Sequence, residues 1–167
     1  ENFADYTEKL DHTIVDRIID PELVGIPLKA RGYYWLALQS KKKVVAKEDS
    51  NKPIEEATDY FLLSEKSGCW FGGLSAALVN LKTENPINWA KGKEILDRLH
   101  KEKSPFAASL LAAYHTLPKF GKVDFQKAKD YNTDAIAWDN KILWNNLPIE
   151  TYIKKTSLLM LQPEEKK

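Results

Sequence analysis

The sequence predicts an all-α protein, a short right-handed superhelix (α-solenoid) of antiparallel helical hairpins with flanking helices. Three observations predict it. Short residues recur at nearly constant spacing after helix-start signals: Ala57 in Pro53-Ile54-Glu55-Glu56-Ala57, Gly92 in Asn88-Trp89-Ala90-Lys91-Gly92, and Ala128 in Asp124-Phe125-Gln126-Lys127-Ala128, separated by 35 and 36 residues. Ala76 and Ala112, each 16 residues before the last two, are again 36 apart. No stretch sustains the period-two alternation of a half-buried strand. A period in this range marks helical hairpins that stack because none buries its apolar face alone. The expected organisation is a single domain over residues 1–167. It comprises an N-terminal flanking helix and loop (1–29), three hairpin repeats (30–137) and C-terminal flanking helices (138–167).

The first helix is expected over residues 3–19, with Asn2 as cap and Phe3, Tyr6, Leu10, Ile14 and Ile18 on one stripe. Pro21, Gly25 and Pro27 then interrupt the chain. The first repeat opens with a helix carrying Gly32, Leu36 and Ala37. Its second helix runs from Pro53 to about Lys66 and stops at Gly68. Between them, residues 41–52 form a polar connection about four residues longer than in the later repeats. It reads as a solvated loop, or, through Lys41, Lys42 and Lys43, as a contact edge for an acidic partner.

The second repeat places helices over residues 69–82 and 86–100, the latter announced by Asn85-Pro86. The third begins at Ser104-Pro105, breaks at Pro118 and Gly121, and resumes at Asp124 until about Ala137. Trp138 and Trp144 follow, and Pro148 precedes a closing helix over 149–161 with Tyr152, Ile153, Thr156, Leu159 and Met160 buried. The first and last helices fit the terminal caps that a solenoid needs.

The third repeat resembles a Sel-one-like repeat, a relative of the tetratricopeptide hairpin. Ala107, Leu111 and Ala112 match its first helix, and Gly121 and Val123 its turn. Asp124, Phe125, Lys127, Ala128, Tyr131 and Ala135 match its second helix. The first repeat fits at Gly32, Leu36, Ala37, Ala57 and Tyr60, with an enlarged turn that lacks its glycine. The second fits at Ala76, Trp89, Lys91 and Gly92, but has Phe71 and Ser75 where a small residue and a leucine are usual. The resemblance implies a protein-binding array, as in bacterial adaptors and small exported immunity proteins.

Composition narrows the partner class. The 167 residues carry a formal net charge of +1, which gives no long-range attraction to nucleic acid or an anionic membrane. Arg17, Arg31 and Arg98 are the only arginines, which weakens phosphate recognition further. No apolar run approaches the roughly 18 residues of a membrane helix. Cys69 is the sole cysteine; beside Trp70 and Phe71 it reads as a small core residue. Glu1 opens the sequence without a methionine, which is compatible with a removed export signal. A periplasmic or otherwise exported location is expected, with the cytoplasm as the alternative.

No cofactor or metal site is expected. His12, His100 and His115 form no His-x-x-x-His pair. His115 reads as packing, and His100 as a helix-end cation beside Lys101. Gly72-Gly73 inside a helix costs roughly 1 kcal/mol per glycine relative to alanine, and close helix contact is the expected compensation. Tyr33-Tyr34-Trp35 and Trp70-Phe71 are adjacent large rings on leading helices, so they cannot all enter one core. Tyr34, Trp35, Trp70 and Phe71 are accordingly expected as partner-binding anchors, with Lys41, Lys42 and Lys43 on the rim. Burial between hairpins is the competing reading for each ring.

The function expected is a non-enzymatic protein–protein interaction module, more narrowly a bacterial immunity or inhibitor protein that neutralises a cognate secreted toxin or effector. An adaptor or scaffold in signalling or assembly is the alternative. A small hydrolase using His115 or His100 is the more distant one.

Overall fold

The computed structural model describes residues 26–43 and 51–138. The helices expected over 3–19 and 149–161, together with Trp144, lie outside the described residues. Within them the chain is all-helical, with no strand. Six α-helices follow one another: α1 Leu28–Lys42, α2 Asn51–Lys66, α3 Gly72–Leu81, α4 Pro86–Lys101, α5 Pro105–Thr116 and α6 Phe125–Ala137, with a 3-10 turn at Pro118–Phe120 before α6. They divide into two compact units, one ending at Asn80 and the other beginning at Leu81.

In the first unit α1 packs antiparallel on α2. Ala30, Ala37 and Ala57 are fully buried, and the missing side-chain bulk brings the two backbones close. The Ser64 hydroxyl donates to the Ala30 carbonyl at 2.6 Å, tying the end of α2 to the start of α1. Gly68 takes φ +119° after α2, a conformation that favours glycine. The Gly68 and Cys69 amides there return to the Glu65 and Ser64 carbonyls. A Cβ on Gly68 would meet Pro27 Cγ at 2.8 Å, so the chain entering α1 lies against the stop of α2.

The Gly72-Gly73 pair is explained by contact with α2. A Cβ on Gly72 would sit 2.6 Å from the Phe61 carbonyl oxygen and 2.7 Å from the Glu65 amide nitrogen, both backbone atoms that cannot swing aside. On α3, the Asn80 amide donates to Thr58 Oγ1 and to the Ala76 carbonyl, each at 2.8 Å. That satisfies a buried polar side chain while linking α3 to α2.

On α1 two positions that carry the family resemblance face away from the interior. Gly32 is exposed, and a Cβ there would meet nothing within 4 Å. Leu36 is exposed as well. The buried stripe instead runs Ala30, Tyr34, Ala37, at steps of four and three. Lys41 and Lys42 are also helical, forming the last turn of α1 rather than a loop.

In the second unit each helix start is fixed by local chemistry. Asn85 accepts from the Ile87 amide at 3.0 Å ahead of α4, Ser104 from Ala107 at 3.2 Å ahead of α5, and Asp124 from Lys127 at 3.0 Å ahead of α6. Pro86 and Pro105 occupy the first turns, where no amide is missed. Helix α5 packs on both α4 and α6 and is buried continuously from Phe106 to Ala113. Gly121, at φ +129° and ψ −157°, turns the chain after the 3-10 segment in a region open essentially to glycine alone. The Asp124 amide then donates to the His115 carbonyl at 2.9 Å, seating the start of α6 against the end of α5.

Candidate functional site

The four rings expected as anchors separate into two roles. Tyr34 and Phe71 are core residues, 4% and 1% exposed. Tyr34 is tilted against Phe61 and meets Phe71 edge-on, both at 5.1 Å between centroids, and its hydroxyl lies 3.2 Å from Ser75 Oγ. This corrects the expectation that Tyr34 and Phe71 serve as partner-binding anchors; for these two the competing reading, burial, is the one observed. Tyr34 shares a helix face with Ala30 and Ala37, which points it into α2, and Phe71 fills the space beneath it.

Trp35 and Trp70 are half-buried. Trp70 stands edge-on against Phe71 at 5.2 Å, so a partly exposed indole is braced on a fully buried ring. Tyr33, also half-buried, stacks on Tyr60 at 6.5 Å. Lys42 and Lys43 are exposed and Lys41 is half-buried. At the C-terminal end of α1 these cations complement the helix dipole.

Cys69 is fully buried. Burial pushes its thiol up to about 11, outweighing the opposing hydrogen bond with Ser64. It is held as a neutral thiol, which suits the core role expected and not a nucleophile.

The second unit carries a cluster of titratable side chains that the sequence does not announce as a group. His100 Nε2 lies 2.8 Å from Asp134 Oδ2, an N–H donated to a carboxylate that ties α4 to α6. His100 also meets Tyr131 edge-on at 5.1 Å and Trp138 at 5.0 Å. On its other side Tyr131 stacks on His115 at 5.5 Å, with planes 8° apart. His115 thus packs as expected, and its Nε2 is buried without a hydrogen-bond partner among the described residues.

Charge follows burial here. Desolvation, then the Lys127 and Lys93 ammonium groups, hold His115 below the ordinary imidazole value. Desolvation likewise raises the Tyr114 and Tyr131 phenols, helped by the Asp97 carboxylate. Burial works against the charge of Lys93, but Asp97, hydrogen-bonded at 2.9 Å, leaves its ammonium above the ordinary value.

His100 and Asp134 are 34 residues apart and lie on α4 and α6. A scan for complementary polar pairs at that separation would have found them. Chemically, a carboxylate at this distance orients an imidazole by accepting its ring N–H. Among the described residues no three His, Cys, Asp or Glu side chains are grouped to hold a metal ion, and no helix is long and apolar enough to cross a membrane.

A cleft of about 510 Å³ opens where α5 hands over to α6, lined by Tyr114, His115, Phe120 and Val123, with Lys122, Asp124, Phe125 and Lys127 around them. Ring contacts hold its aromatic lining from behind: Tyr114 stacks on Phe120 at 4.6 Å, Phe120 meets Trp89 edge-on at 5.4 Å, and Trp89 Nε1 donates to the Thr83 carbonyl at 2.6 Å. Compared with family models, curated proteins and solved structures, the chain finds no match.

Proposed function

We propose that this chain is a non-enzymatic protein-binding module built from Sel-one-like helical hairpins. The placement of Trp70 carries the reading. A half-buried indole braced edge-on against a fully buried Phe71 loses little conformational freedom when covered, and rigid aromatics of this kind dominate binding energy at interfaces. Trp35, half-buried on the leading helix of the same unit, is the second anchor, and Lys42 and Lys43 supply an exposed cationic rim.

The repeat reading is supported by burial at the equivalent positions Ala57, Gly92 and Ala128, and at Ala76 and Ala112. The tie from His100 on α4 to Asp134 on α6 supports it too, because it joins corresponding helices of successive repeats. The narrower reading is an immunity or inhibitor protein that covers a cognate toxin or effector; an adaptor is the alternative.

Affinity capture with the chain as bait, run beside a Trp35→Ala/Trp70→Ala variant of unchanged far-ultraviolet circular dichroism, tests this. One stoichiometric protein retained by the native chain and lost by the variant is the expected result. Identical capture by both would remove the anchors from the binding surface. Inhibition of a captured enzyme distinguishes the immunity reading from the adaptor reading.

A further inference from the structure

The cleft between α5 and α6 is a second surface, carried by residues separate from the tryptophan anchors. It combines three properties. Its walls are aromatic and held in place by the Tyr114–Phe120–Trp89 ring contacts. Its lip carries Phe125, 74% exposed in the first turn of α6, a large apolar side chain left in water at a cost that a covering ligand would recover.

Its charge is net positive, two lysines against one carboxylate. Lys122 and Lys127 are exposed at the rim, and the positive end of the α6 dipole adds to them. The one carboxylate in the lining, Asp124, is engaged in capping the Lys127 amide. A third lysine nearby, Lys119, is already occupied: its ammonium donates to the Leu81 carbonyl at 3.0 Å and lies over the Trp89 and Phe120 rings.

We propose that this cleft docks an acidic linear segment of a partner protein, one that places an apolar side chain beside its carboxylates. The apolar side chain lies against Phe125 and the outer face of the stacked Tyr114–Phe120 pair, while the carboxylates meet Lys122 and Lys127. Charge complementarity selects this occupant, since a basic segment would face two unpaired lysines. The inference rests on the reading of the chain as a protein-binding module and assigns that module a second contact.

The test is selection of a displayed random dodecapeptide library on the immobilised full chain. Fluorescence anisotropy of the enriched peptides follows on the native protein, Lys122→Glu/Lys127→Glu, Phe125→Ser and Trp35→Ala/Trp70→Ala. All the substituted cleft positions are exposed, so the fold should survive, as circular dichroism will show. Enriched peptides are expected to carry Asp or Glu next to an apolar residue. They should bind about tenfold or more weakly to the lysine variant, lose affinity to Phe125→Ser, and ignore the tryptophan variant. No enrichment, enrichment of basic or neutral sequences, or affinity indifferent to the cleft variants overturns the proposal. Peptides sensitive only to the tryptophan variant would overturn the cleft while leaving the protein-binding reading intact.

Discussion

The two units use the same small residues to bring helices together but divide their aromatic rings differently between interior and edge. In the first, Ala30, Ala37 and Ala57 close the α1–α2 contact, and Tyr34, Phe61 and Phe71 fill the interior beside it. In the second, alanines share the interior with leucines and a single ring, Phe106: Ala107, Ala108, Ala112 and Ala113 on α5, with Ala128 and Ala135 on α6. Other rings stand at the half-exposed edge, where Tyr114, His115, Tyr131 and His100 lie among Lys93, Asp97 and Asp134. An aromatic interior confers stability through buried area. An aromatic edge mixed with ionisable groups ties stability to protonation instead.

The largest expected effect tests the interior. Phe71→Ala should destabilise the first unit by about 3–5 kcal/mol, whereas Tyr131→Ala, at a half-exposed position, should cost the second only about 1 kcal/mol. Native-state hydrogen exchange, read separately for α1–α2 and α5–α6 amides, measures both. Equal losses from the two substitutions would break the comparison.

Protonation should sharpen it from both directions. The His115 value is depressed in the folded state, so the unfolded chain binds the extra proton. Stability of the α5–α6 amides should therefore hold above about pH 6.5, fall as pH drops below it, and level off once the folded form is protonated too. His115→Gln should flatten that fall. In the first unit, Cys69 is shifted the other way. Its contribution, about 2–3 kcal/mol from the displacement of 9.0 to about 11, is present below pH 9 and is lost between those values. Cys69→Ala should remove this alkaline slope from the α1–α2 amides.

The smallest effect concerns a helix end. Lys103 closes α4 at φ 61°, a left-handed conformation that costs a side-chain-bearing residue about 1 kcal/mol. Lys103→Gly should raise stability by at most about 1 kcal/mol, seen as slower exchange in α4. Unchanged exchange would show that glycine's extra freedom in the unfolded chain offsets the relief.

Helix ends in the described residues were legible because local chemistry sets them. Asn85-Pro86, Ser104-Pro105, Asp124, Gly68 and Gly121 all stand where the sequence places them. The facing of α1 was not legible in the same way. Adjacent rings at Tyr33, Tyr34 and Trp35 leave its rotation open, and anchoring the stripe on Gly32 and Leu36 turns Tyr34 outward. Ala30, Tyr34 and Ala37 form an equally regular stripe, and only the presence of Phe61 and Phe71 on the other side selects it. The α5–α6 cleft was hidden for a related reason. In the sequence Phe125 reads only as part of the start of α6, and its exposure depends on how α6 meets the turn at Gly121.

The contact between Pro27 and Gly68, with the Ser64–Ala30 hydrogen bond beside it, has a consequence for how this chain can be edited. Because the open end of the α1–α2 pair is clasped, the segment joining Lys42 to Asn51 does not have to hold the two helices in register. Lengthening a flexible connection costs only about 0.6 kcal/mol per doubling, so a tag or reporter spliced in between Lys42 and Asn51 should leave the α1–α2 pair folded.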